Sequence, residues 1–190
     1  MAVPKEVEVK FLVPDPKALE KKLLEQGFRC ETPSTHEINT LYDLPGQKLR
    51  RKGELLRLRC YGGQWKLTHK AKGIPGRHKS RGELETAVAD GQAMDALLRA
   101  LAFSPSFVYE KFRSEWSDDE GKVVLDHTPI GDIAEIEGKS RWIDRTARAL
   151  GISGRQYITK SYAELFFEWK RKTKCKAQNM TFRECRRSRA

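Results

Sequence analysis

Six short stretches of this chain place two or three charged residues on alternate positions: Glu6/Glu8/Lys10, Arg57/Arg59, Lys66/Lys70/Lys72, Glu83/Glu85, Lys111/Arg113 and Glu135/Glu137. Side chains in a strand point alternately to opposite faces, so each set shares one face. Glu6 and Glu8 then sit side by side, about 7 Å apart along the strand. Like charges that close repel unless something positive lies between them. A hard divalent cation bound by carboxylate oxygens is the usual something. Pairs of Arg and Lys hold anions instead, and Arg reads phosphate oxygens two at a time. An anion that needs this many cations as well as metal is a polyphosphate chain bridged by Mg²⁺ or Mn²⁺. The same alternation also describes an ordinary antiparallel sheet with its charged face in water. The other arrangement is a sheet closed on itself, with the polar face inside and helices covering the apolar outside. Periodicity alone does not separate the two.

The elements that carry these residues follow from local pattern. Val3 to Val13 alternates as a strand, with Val7, Val9, Phe11 and Val13 opposite Glu6, Glu8 and Lys10. Asp15-Pro16 opens a helix with Asp as N-cap and Pro at the first helical position, and Gly27 closes it. Phe28 to Asp43 reads as extended chain broken at Pro33-Ser34, followed by a turn over 44–47 and a basic segment over 48–52. Glu54–Tyr61 and Gln64–Lys72 form a hairpin about Gly62-Gly63, and a strand covers Arg77 to Val88. A second helix follows Asp90. Phe107–Trp116 and Lys122–His127 pair about a turn at 118–121, and Ile133–Gly138 is the last strand. A third helix runs from about Ser140 to Leu150, and Ser161-x-x-Glu164 is a capping box opening a fourth. His69, Trp65, Trp142 and Trp169 read as packing side chains. Strands in mostly hairpin order with helices between groups argue an antiparallel α+β domain, barrel-like.

Composition narrows the class. With 190 residues, 33% charged and 38% hydrophobic, the chain suits one charge-rich globular domain plus a small extension. No apolar run approaches the ~20 residues of a membrane span. The N-terminus has no apolar leader core, so a cytoplasmic location is expected. Cys30, Cys60, Cys175 and Cys185 form no C-x-x-C pair and no disulfide framework, which fits a reducing compartment. The net charge is +11, but residues 171–190 hold eight basic residues against Glu184 alone. Most of the imbalance therefore belongs to a tail, expected to be loosely attached, and does not by itself point to nucleic acid. Domain organisation is read as residues 1–170 plus this basic tail at 171–190.

Glu6-Val7-Glu8-Val9-Lys10 resembles the E-x-E-x-K signature of the CYTH superfamily, the triphosphate tunnel metalloenzymes. Further motifs follow in order: Asn39-Thr40-Leu41-Tyr42-Asp43, Leu56-Arg57-Leu58-Arg59, Lys70-Ala71-Lys72, Glu83-Leu84-Glu85, Lys111-Phe112-Arg113, Leu125-Asp126, Glu135-Ile136-Glu137 and Lys160-Ser161-Tyr162. They cover residues 3 to about 170. The resemblance implies a closed barrel of eight antiparallel strands, with a charged lumen that binds triphosphate with divalent metal. It implies that Glu6, Glu8, Glu135 and Glu137 ligate Mg²⁺ or Mn²⁺, with Asp126 as a further metal or water-orienting group. Glu6, Glu8, Lys10 and Asp126 are then the catalytic set. Phosphate-side roles fall to Lys10, Arg57, Arg59, Lys70, Lys72, Arg81, Lys111, Arg113 and Lys160, with Glu83 and Glu85 on an accompanying acidic strand. Lys70 is a choice among three lysines of one parity, and Lys72 and Lys111 also read as surface charges.

Members of this family either hydrolyse a triphosphate or cyclise ATP to cyclic AMP and pyrophosphate. Class IV adenylyl cyclases tend to carry His-Phe before the Leu-Arg-x-Arg strand, and residues 44–52 here have none. The Asn-Thr-x-Tyr-Asp run followed by a Leu-Arg-Arg segment is closer to bacterial inorganic triphosphatases. The expectation is a metal-dependent triphosphatase acting on tripolyphosphate or another triphosphate, as monomer or homodimer. Adenylyl cyclase is the alternative, and a polyphosphate- or nucleic-acid-binding module without catalysis is the third.

Overall fold

The computed structural model describes residues 4–187. Val3 of the expected first strand and residues 188–190 of the tail lie outside them. The strands are β1 (Lys5–Leu12), β2 (Arg29–Asp43), β3 (Leu55–Tyr61), β4 (Gln64–Lys70), β5 (Lys79–Val88), β6 (Ser104–Ser117), β7 (Gly121–Thr128) and β8 (Gly131–Gly138). The helices are α1 (Pro16–Glu25), α2 (Lys48–Lys52), α3 (Gly91–Ala100), α4 (Ser140–Ala149), α5 (Tyr162–Thr173) and α6 (Phe182–Arg187). The strands close in the order β1-β5-β4-β3-β2-β6-β7-β8, each antiparallel to both neighbours. The expected α+β barrel with helices outside is the fold.

The barrel is inverted. Odd positions of β1 face outward: Val9 and Phe11 join Val123 and Ile136 beneath Leu19 and Leu23 of α1 and Trp142 and Ile143 of α4. A second apolar cluster lies under α3, where Leu98 meets Leu58, Trp65 and Leu67. A third joins α5 to β6 through Phe166 and Phe107. The hydrophobic driving force therefore acts on the outer wall, and the even positions of β1 are left to face the lumen.

Local signals place most ends. Asp15 Oδ1 accepts from Ala18 N at 3.1 Å, and Asp90 Oδ1 accepts from Gln92 N and Ala93 N at 2.8 and 3.0 Å. Ser161 and Glu164 form the expected capping box of α5. Three features differ from expectation. Pro33-Ser34 does not break the chain: β2 runs through it with register shifts between Cys30 and Thr35, so the irregularity is absorbed as bulges. The basic segment at 48–52 is a short helix, because Asp43 accepts from Leu49 N and Arg50 N at 2.9 and 3.0 Å and Gly53, at φ 77°, ends it.

The tail is not loose. Cys175, Ala177, Met180 and Cys185 are buried against Phe107, Tyr109 and Phe166. Met180 N donates to Val108 O at 3.0 Å and Glu110 N to Met180 O at 3.1 Å. β7 begins to pair with β6 only at Phe112, so the earlier part of that β6 edge takes its hydrogen bonds from the tail.

The β7–β8 end depends on two close approaches to Trp142. A Cβ on Gly121 would lie 2.6 Å from the Trp142 ring and 2.8 Å from the Glu137 carbonyl. Gly121→Ala is expected to cost about 1–3 kcal/mol, read as a lowered denaturation midpoint, since ring and backbone cannot both retreat. An unchanged midpoint would show that α4 is free to shift.

Candidate active site: a charged tunnel

The even-position side chains of β1 and their equivalents surround one cavity of about 480 Å³. Ten cationic residues and six carboxylates line it. Glu6, Glu8, Lys10, Arg57, Arg59, Lys70, Arg81, Glu83, Glu85, Lys111, Arg113, Glu135 and Glu137 are all among them, as expected from their parity. Pairing register explains the convergence. Glu8 stands opposite Glu137 and Lys10 opposite Glu135, while Lys70 stands opposite Glu83 and Thr68 opposite Glu85.

The carboxylates are distributed among the cations. Glu6 takes Lys70 Nζ at 2.6 and 2.7 Å and Arg81 Nε at 3.4 Å. Burial pushes the Glu6 carboxyl up, but Lys70 and Arg81 outweigh it and hold it at about 2. Lys70 also meets Glu83 at 2.9 Å. Lys10 lies 2.8 Å from Glu8 and 3.4 Å from Glu135. Burial opposes the Lys10 charge, yet Glu135 and Glu8 raise its pKa above the ordinary lysine value, so Lys10 is a fixed cation. Glu85 accepts from Lys66 at 2.8 Å, Thr68 at 2.9 Å and Arg59 at 3.1 Å. Glu137, facing Lys122 at 3.1 Å, is instead shifted upward, first by burial and then by Glu6 and Glu135 despite Lys122.

Asp126 stands opposite Arg113 on the inward face but is fully buried and does not line the cavity. Its oxygens accept from Arg113 Nε and Nη2 at 2.7 and 2.6 Å, from Lys111 at 2.9 Å and from the Tyr162 hydroxyl. That pairing orients Lys111 and Arg113 and occupies both carboxylate oxygens. Two expected phosphate ligands also stand elsewhere. Lys160 is half exposed and paired with Glu168 at 2.5 Å, and Lys72 is exposed beyond the end of β4. His69 is on the outer face beside Glu54 at 3.7 Å.

Residues to which the sequence assigned no role complete the site. Glu37 is fully buried, within 3.5 Å of Lys111 and 3.9 Å of both Arg59 and Arg113, and accepts from Asn39 Nδ2 at 2.8 Å. Its parity with Asn39 was the available signal. Lys79 shares parity with Arg81 and lies 3.6 Å from Glu8. Burial, then Lys10 and Arg81, push it down to about 8. Tyr162 had no periodic signal: it enters from α5, and Lys111 and Lys10 lie 4.5 and 5.6 Å from its ring centroid.

Among the described residues no three carboxylate, imidazole or thiolate groups converge as a ready metal cage. The donor set nevertheless suits a hard cation. Glu8 is buried and stands directly across from Glu137, whose pKa is raised by burial and by Glu6 and Glu135. Two facing carboxylates, with Glu6 and Glu135 lining the same cavity, form an all-oxygen donor set that fits an oxygen-preferring divalent ion.

Comparison with known proteins agrees with this architecture. A Methanocaldococcus jannaschii protein named "Putative adenylate cyclase MJ0240" is 25% identical over 171 residues, covering 84% of this chain and 97% of that one. The solved structure of a "putative adenylate cyclase" from Vibrio parahaemolyticus shares the fold with a TM-score of 0.77 at 20% identity, over 87% of this chain and 99% of its own. The fold is also shared by HpAC1 from Hippeastrum, described as a "putative adenylyl cyclase" with a dominant triphosphatase activity. Its TM-score is 0.63 at 19% identity, over 86% of this chain and 95% of its own. Residues 4–162 match the CYTH domain, which is most of the chain, so this protein belongs to the CYTH domain family.

Proposed function

We propose that the protein is a metal-dependent triphosphatase whose substrate lies in the tunnel. The observation that carries this reading is the enclosure of ten cations and six carboxylates in one cavity of about 480 Å³. A triphosphate concentrates enough negative charge in that volume to compete for Lys10, Lys70 and Arg81, which otherwise face Glu135, Glu6 and Glu83. Glu6, Glu8, Glu135 and Glu137 would hold the metal, Mg²⁺ or Mn²⁺. When bound it supplies charge neutralisation of the phosphate oxygens.

Water attacks the terminal phosphorus, and the departing diphosphate takes up the bond electrons. Arg57, Arg59, Lys111 and Arg113 face the same cavity and stabilise the charge that develops there. Arg57 and Arg113 have pKa values above the ordinary Arg value despite burial, held by Tyr109 and Glu37 and by Asp126 and Glu135, so both remain fixed charges. Asp126 and Glu37 act as positioning residues by holding these cations in place.

The lining favours hydrolysis over cyclisation. Cyclisation needs a pocket that positions adenosine, and the aromatic rings in the tunnel are already engaged. Tyr162 lies under Lys10 and Lys111 and stacks with Tyr109, which stacks on Phe107. Adenylate cyclisation is the second reading, favoured by the name of the M. jannaschii relative. One assay separates them: the protein is incubated with tripolyphosphate or ATP in Mg²⁺ or Mn²⁺, and phosphate, pyrophosphate and cyclic AMP are measured. Phosphate with pyrophosphate from tripolyphosphate is expected. Cyclic AMP with pyrophosphate from ATP would replace this reading with cyclisation, and no turnover of either would remove both.

A further inference from the structure

The outer wall carries a second cleft, independent of the tunnel. On β6, Lys111 and Arg113 point into the lumen, so Phe112 between them points out. Packing of the tail brings α6 against this face and creates a recess of about 540 Å³. Four aromatic rings form its floor in sequence. His36 lies 5.1 Å from Phe112, Phe112 lies 5.6 Å from Phe182, and Phe182 lies 5.5 Å from His127, centroid to centroid. The row is open to solvent: Phe112 is 40% exposed, and the side chains of His36 and His127 are 46% and 63% exposed.

The polar groups around the row are unevenly satisfied. Glu110, the carboxylate in the recess, accepts from Phe182 N at 2.7 Å and lies 3.0 Å from His36 Nε2, so both its oxygens are used. Arg183 and Arg186 line the rim, are exposed, and have no ion-pair partner among the described residues. Large rings without an apolar surround suit a flat ligand that stacks, and unpaired guanidinium groups suit phosphate oxygens.

We propose that this cleft binds single-stranded nucleic acid, with bases against the His36–Phe112–Phe182–His127 row and backbone phosphates on Arg183 and Arg186. A duplex keeps its bases stacked internally and offers only phosphate. A protein partner would meet a face of unpaired guanidinium groups rather than an apolar core. The net charge of +11, most of it in the tail that forms this cleft, adds long-range attraction. The proposal does not depend on the chemistry of the tunnel.

The test is fluorescence anisotropy with a labelled short oligothymidylate at low salt, with excess tripolyphosphate present to fill the tunnel. Binding is expected, about 5- to 100-fold weaker in Phe112→Ala, and weaker still for an abasic strand of equal length. The double variant R183E/R186E, at exposed positions, is expected to lose binding while turning over tripolyphosphate at the wild-type rate. Absence of binding by the wild type, equal binding of the abasic strand or the duplex, or unchanged binding by R183E/R186E would each overturn the proposal.

Discussion

Replacing Glu37 with glutamine is expected to destabilise the protein by about 3–5 kcal/mol, because removing one partner leaves buried charge uncompensated. Glutamine keeps the volume and still accepts from Asn39 Nδ2, so the loss isolates the charge. Lys111, Arg59 and Arg113 all surround this one carboxylate, whose residue is fully buried. The denaturation midpoint should fall by roughly 6–20 °C for a domain of this size. The pH dependence carries a definite sign. Burial would raise the Glu37 pKa, but Lys111 and Arg113, then Arg57 and Arg59, hold it well below the ordinary value. A depressed folded-state pKa gives stability that is fully present above the unfolded value of about 4.3 and lost as pH falls toward the folded one. The gap between wild type and Glu37→Gln should therefore be widest at neutral pH and narrow below about pH 4. A gap that stays constant on acidification would mean that Glu37 contributes through shape rather than charge.

Glu135→Gln is expected to lower kcat/KM for tripolyphosphate by about 10²- to 10³-fold, the scale of removing one group that organises transition-state charge. Glu135 lies 3.4 Å from both Lys10 and Arg113. Burial alone would favour its neutral form, and Lys10 with Arg113 reverse this and keep the carboxylate ionised. The variant should also need more Mg²⁺ or Mn²⁺ to reach half-maximal rate, a shift that a purely structural loss would not produce. Lys160→Ala serves as the contrast: its side chain is half exposed and paired with Glu168, so its kcat/KM should change little. Activity retained in Glu135→Gln, or lost in Lys160→Ala, would redraw the site.

The two variants address different layers of one arrangement. Glu135 lines the cavity, whereas Glu37 and Asp126 are fully buried, do not line it, and pair with cations that do. Each buried cation is matched with a carboxylate, which is how an aqueous-looking lumen survives inside a folded chain. Energy for the fold comes from the other side of the same strands, where Phe11, Ile136 and Trp142 pack under α1 and α4.

Strand alternation was readable from residue types alone, because the two-residue period of a strand forces Glu6, Glu8 and Lys10 onto one face and Val7, Val9 and Phe11 onto the other. The capped starts of α1, α3 and α5 were readable for a similar reason: each rests on a side chain within three residues of the amide it caps. Which face turned inward was not, since a wet sheet and a closed barrel share one pattern. Closure through the β1–β5 and β1–β8 pairings settled it, joining segments far apart in the chain. The same limit applies to single residues. Asp126 and Lys160 have the right types and motif positions, yet one is enclosed by Lys111, Arg113 and Tyr162 and the other pairs outside the lumen. The tail's charge suggested a loose end, but its few apolar residues found an unpaired edge of β6, a partner that no local pattern along residues 171–187 could announce. Periodic and capping interactions span a few residues and can be read along the chain, whereas the pairing of buried charges and the filling of a strand edge depend on neighbours supplied only by the closed barrel.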